Sequence, residues 1–144
     1  MQLNLSLTRL FNLLNKKPFL YVHLPLILYW SFLFIMTSIP VEKLPKFFST
    51  QDKLEHLIAY FVLGILLKMS FTFQRKYTFA KTNSLMLSLI VIYFYAFLDE
   101  IHQLFIPGRY CDFFDWIFDI IGGTAGVFLI YYLLRMKQVD KILH

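Results

Sequence analysis

Between Asp99 and Asp119 the run DEIHQLFIPGRYCDFFDWIFD sets Asp99, Glu100, His102, Gln103, Arg109, Asp112, Asp115 and Asp119 among aromatic and aliphatic residues. Upstream, the shorter run DKLEH adds Asp52, Lys53, Glu55 and His56. Polar groups in so apolar a setting are costly unless they pair or take part in chemistry. The residue types allow a definite chemistry. His56 or His102, oriented by Asp99 or Asp115, could serve as general base or nucleophile. Lys53 and Arg109 could hold a phosphate or carboxylate, arginine through a bidentate fork, with Asp52, Glu100, Gln103 and Asp119 completing the binding set. A metal variant would use His56, His102, Asp99 and Asp115, since imidazole and carboxylate suit zinc or another divalent ion. Their spacing matches no local ligand motif, and a lysine and an arginine beside them count against an ion, so no cofactor is expected. A purely structural network is the competing account. It is a poor stabiliser, because every desolvated member must be paired, and here the acids outnumber the cations.

Such residues need elements to position them. The chain has 144 residues, of which 58% are hydrophobic, above the roughly 45–50% of soluble domains. It therefore reads as a single-domain, all-α integral membrane protein with no room for a soluble catalytic domain. A net charge of +5 does not point to nucleic acid, because the basic residues flank apolar segments instead of forming a patch. The single cysteine, Cys111, excludes an intrachain disulfide and a cysteine-rich metal site.

Along the chain, residues 2–17 place Leu3, Leu7, Leu10, Phe11 and Leu14 on one helical face, which predicts an amphipathic helix on the membrane surface. A cleaved signal peptide fits less well, because the next apolar run is too long for a signal core. Four transmembrane helices are expected at about 19–39, 54–73, 84–105 and 112–136, each long enough for a core of roughly 30 Å. Pro25 should kink the first, where His23 reads as a packed or interfacial histidine. Lys68 is expected to snorkel to the far interface. Arg75, Lys76, Lys81 and Asn83 fall in a loop, and Ile106-Pro107-Gly108-Arg109 in a tight turn. Of the 14 Lys and Arg, all but Lys43, Lys46, Lys53 and Arg109 lie on one side, which predicts cytoplasmic termini and the polar loops outside.

Helical spacing then assembles a pocket. His56, Tyr60 and Gly64 recur every four residues, Asp99, His102 and Gln103 share an arc, and Glu100 points about 100° from Asp99. On the last helix Asp112, Asp115, Asp119, Gly122 and Gly126 fall within about 80°. The two glycines invite a neighbouring helix against that face, so the acids should point into the bundle. Asp112 reads as an N-terminal cap. Tyr60, Tyr95, Trp30, Trp116 and Cys111 read as packing or incidental.

The pairing of DKLEHLIAYFVLG at 52–64 with DEIHQLFIPGRYCDFFDWIFDIIGGTAG at 99–126 resembles the VanZ-like family, small bacterial membrane proteins named for one associated with teicoplanin resistance. The resemblance implies that Asp52, Lys53, His56, Asp99, Glu100, Gln103, Arg109 and Asp115 occupy the family's motif positions, in the bacterial cytoplasmic membrane. The family commonly carries Asn where this chain has Asp119. That acid is expected either to be protonated or to pair with a cation such as Lys53, Arg109 or a protonated histidine. Two functional classes follow. One is an enzyme acting on a phospholipid, polyprenyl-phosphate carrier or lipid-linked cell-envelope precursor. The other is a non-catalytic module that binds a lipid headgroup, a glycopeptide antibiotic or a partner protein and so contributes to resistance. Oligomeric state is left open by the sequence.

Overall fold

The computed structural model describes residues 12–40, 42 and 51–135. Leu3, Leu7, Arg9, Leu10 and Phe11 of the expected surface helix, Lys43 and Lys46 of the first loop, and Met136, Lys137 and Lys141 at the end of the chain lie outside the described residues. The expected surface helix is therefore described only at its end, where residues 12–16 are helical.

Four long helices follow: α1 (Phe19–Thr37), α2 (Gln51–Phe73), α4 (Ser84–Gln103) and α5 (Phe113–Arg135), with a short α3 (Thr78–Thr82) between α2 and α4. The long helices run to 19, 23, 20 and 23 residues and are apolar enough to cross a membrane. At about 1.5 Å per residue each matches a bilayer core. No strand occurs among the described residues, and the chain is a multi-pass membrane protein.

Pro25 affects α1 through a change of winding. Phe19–His23 forms a π-helical turn in which Leu24 N–H donates to Phe19 O, and Pro25 enters the first turn of regular helix directly after it. A proline ring crowds the carbonyl four residues back, and the wider turn gives it room. His23 is a packed histidine: its Nδ1 lies 2.8 Å from Ser70 Oγ.

The closest packing joins α2 to α5. With four spans crossing in alternation, these two run in the same direction. A Cβ added at Gly122 would stand 2.1 Å from Leu57 O, one at Gly126 2.1 Å from Phe61 O, and one at Gly64 2.2 Å from Gly123 O. Bare backbone is what permits the approach, and such contacts hold helices together where the hydrophobic effect between them is absent. Leu33, Tyr60, Leu63, Leu67, Ile92 and Val127 fill the interior behind this seam. Ile90, Phe94 and Ile121 stand outward on the faces that would meet lipid.

Several expectations change: α1 ends at Thr37 and not 39, and α2 begins at Gln51 and not 54, so Asp52 and Lys53 lie on the helix. Lys68 does not snorkel: it continues the inward stripe of His56, Tyr60 and Gly64, is 4% exposed, and donates to Thr72 Oγ1 at 3.0 Å and Ser84 Oγ at 2.6 Å. Lys81, expected in a loop, lies in α3. The third span ends at Gln103, two residues before the expected 105, because Leu104, Phe105 and Ile106 donate to carbonyls three residues back. Gly108, at φ 76°, then completes the turn.

Candidate functional site

The start of α2, the end of α4 and the start of α5 converge at one end of the bundle. Each brings a polar stripe that helical periodicity turns inward, so His56, Asp99, Glu100, Gln103, Asp115 and Asp119 are all buried. Asp99 and Glu100 leave α4 in different directions, and both are enclosed.

Two layers can be separated. In the outer one, Lys53 Nζ lies 3.0 Å from Asp112 Oδ2 and 2.9 Å from Asp115 Oδ1. Asp112 caps α5, its Oδ1 accepting the Phe114 N–H at 2.8 Å, while its own N–H donates to Glu100 Oε2 at 2.8 Å. The Phe114 N–H and then the Lys53 ammonium hold the Asp112 carboxyl below its ordinary value. In the inner layer, His56 Nδ1 lies 2.9 Å from Asp119 Oδ1. Asp119 is 0% exposed, and its Oδ2 has no hydrogen-bond partner. Of the cations anticipated for this acid, histidine is the one that reaches it. The His56 ring and the Asp119 carboxyl share this one bond through Nδ1, and Nε2 is the ring nitrogen outside it.

The remaining expected residues divide. Asp119, and neither Asp99 nor Asp115, is the carboxylate bonded to His56. His102 turns to α1, its ring stacked on Phe34 with centroids 4.9 Å apart. Arg109 does not pair with an acid among the described residues. Its Nε donates to Ile39 O at 2.9 Å, Nη2 to Met36 O at 3.1 Å and Nη1 to Gln103 Oε1 at 3.3 Å. It thereby ties down Met36 O, which also accepts the Ile39 N–H, and Ile39 O just beyond the end of α1. Gln103 Nε2 reaches Glu100 Oε1 at 3.4 Å.

A cavity of about 450 Å³ opens between α1 and α2. Tyr29, Phe32, Leu33 and Met36 of α1 and Ile58 and Ala59 of α2 make its apolar wall, and Asp52, Glu55, His56, Asp99 and Arg109 its polar end. Tyr60, read from the sequence as packing, also lines it, with a buried hydroxyl that lacks a partner. Gln51 and Glu55 line it too, Glu55 being an acid of the DKLEH run with no role expected in the binding set. Their four-residue spacing from each other, and Glu55's position beside His56, were the available signal.

Donors suited to a metal ion occur in two groups, His56 with Glu100 and Asp119, and Asp52 with His56 and Asp115. The set expected from the sequence, His56, His102, Asp99 and Asp115, is not brought together: neither group contains His102 or Asp99.

A family model described as VanZ/LLP1 matches residues 7–135 of the chain. No curated protein and no solved structure matches it.

Proposed function

We propose a function for a chain that belongs to the VanZ/LLP1 family: an enzyme whose substrate is a membrane amphiphile, a lipid or a lipid-linked cell-envelope precursor bearing a phosphate or carboxylate. The observation that carries this reading is the cavity, apolar along α1 and α2 and polar where it reaches His56, Asp99 and Arg109. An acyl or prenyl chain fits the apolar wall while its headgroup meets the polar end, a division typical of ligand sites with a few convergent polar groups. His56 is the group on which the reaction depends, because its ring is held by a buried carboxylate and borders the cavity. The distribution of Lys and Arg supports placing this end at the outer face of the cytoplasmic membrane, with both termini inside.

Capture without turnover is the second reading, of a lipid headgroup, a glycopeptide antibiotic or a partner protein, with a contribution to antibiotic resistance. One observation favours it: Lys53 and Arg109, the cations expected to grip an anion, are bonded to groups of the protein itself. The lipid profile of cells with and without the gene tests the enzyme directly. Accumulation of one lipid or envelope precursor on deletion, reversed by the wild-type chain and not by His56→Gln, is the expected result. An unchanged profile overturns the enzyme reading in favour of capture.

A further inference from the structure

We infer that the inner layer of the site binds a divalent metal ion through His56, Glu100 and Asp119. One potential ligand atom from each lies within 4.8 Å of the other two. An ion at their centre reaches distances of about 2.0–2.2 Å with each side-chain atom moving less than about 1 Å. The three residues come from α2, α4 and α5, so an ion here joins the three helices that build the site.

Two independent observations point to an ion over a plain acidic cluster. The first is Asp119 Oδ2: the side chain is 0% exposed and this oxygen has no hydrogen-bond partner. A buried acceptor left without a donor is costly, and native structures rarely tolerate one without an ion, a water or a functional reason. The second is charge. Lys53 is engaged by Asp112 and Asp115 in the outer layer, and Arg109 donates to main-chain carbonyls and to Gln103. Among the described residues, neither Glu100 nor Asp119 has a lysine or arginine partner. Their one basic neighbour in the inner layer is His56, itself a member of the donor set, and a divalent cation supplies positive charge to both acids.

The donor set defines the class of ion. One imidazole and two carboxylates suit zinc or manganese and offer no soft thiolate for copper. Of the two groups that share His56, the inner one is the better site because Asp115 in the other is taken by Lys53. This inference rests on the amphiphile reading for its consequence alone. Asp52, Glu55 and Asp99 border the cavity and repel an anionic headgroup, whereas an ion on His56 attracts one and polarises its oxygens as a Lewis acid.

The test uses the full chain purified in detergent, stripped with a chelator and titrated with Zn²⁺ and with Mn²⁺ by calorimetry, with thermal unfolding in parallel. Wild type should take up one equivalent of one ion and unfold at a higher temperature when loaded. Glu100→Gln and Asp119→Asn should each weaken uptake at least about tenfold, while Asp52→Asn changes it less than about threefold. Unchanged circular dichroism and elution volume show that each variant is folded. No uptake by the folded wild type overturns the inference, as does loss of uptake in Asp52→Asn with Glu100→Gln unaffected. Dodecyl phosphate binding, measured with and without the ion, separates the two readings. Equal binding by stripped and loaded protein removes the ion's role and keeps the amphiphile site. Metal uptake without dodecyl phosphate binding keeps the ion and removes an anionic amphiphile.

Discussion

At His56 a single hydrogen bond holds the ring. Asp119 holds Nδ1 at 2.9 Å, whereas the other histidine of the expected set is stacked on Phe34. His56→Gln should therefore reduce turnover by about 10²–10⁴-fold, and His102→Gln by less than tenfold. Comparable losses in the two variants, measured on the lipid that accumulates in deletion cells, would remove His56 from its role. Asp112 carries a pH dependence. The Phe114 N–H and Lys53 keep its folded-state carboxyl below the ordinary 3.8, so its ionised form stabilises the fold above that value. The contribution is lost as pH falls through the lowered value. Asp112→Asn should lower the unfolding temperature at pH 7, with the deficit shrinking below pH 4. A constant deficit across that range would show that the cap and the Lys53 pair are not its source.

Elements, not single contacts, fix the geometry of this site. Because Leu57 and Phe61 of α2 lie against the bare backbone of Gly122 and Gly126, His56 sits level with Asp119. Gly126→Ala places a methyl group 2.1 Å from Phe61 O and should destabilise the protein by about 1–3 kcal/mol, the usual cost of overpacking. Site function should fall with it as the two helices part. Normal stability and function in this variant would show that the seam has slack. Arg109 links α1 to the end of α4 by donating to Met36 O, Ile39 O and Gln103. Hydrogen bonds from a charged donor contribute about 1.5–3 kcal/mol each when buried, and partial exposure reduces that. Arg109→Ala should cost about 2–4 kcal/mol in detergent unfolding while membrane insertion persists. Loss of function at unaltered stability would instead assign Arg109 to the ligand.

For the whole molecule, an even number of spans puts both ends of the described chain on one side and the site at the other. The single cysteine is an internal reporter, since Cys111 is exposed in the turn beside the site. A membrane-impermeant maleimide should label it in intact cells. Labelling that requires permeabilised membranes would invert the proposed orientation and direct the search to substrates of the cytoplasmic leaflet. Much of the plan was legible in the sequence. The four spans followed from apolar length, the cap from Asp112 at a helix start, and the inward face of α5 from its acids and glycines falling on one arc. Lys68 was misread although it continues the 56, 60, 64 stripe. Charge alone predicts snorkelling; Thr72, four residues on along α2, shares the stripe, and only the packing of α4 on α2 brings the Ser84 hydroxyl to the buried ammonium.

Hydropathy and the 3.6-residue period are local properties, so the sequence alone determined the membrane class, the number of crossings and the stripe of each helix that carries polar groups. Which stripes meet, and at what depth, depends on how closely two helices approach and how each is rotated about its axis. That was decided by the tertiary structure. The glycine seam of α2 and α5 sets a register in which Lys53 takes Asp112 and Asp115, His56 takes Asp119, and Arg109 is left to the carbonyls of α1. Residues 99–119 therefore hold only part of the site. Its centre is a pair of residues 63 positions apart in the chain, joined because bare backbone lets their helices touch.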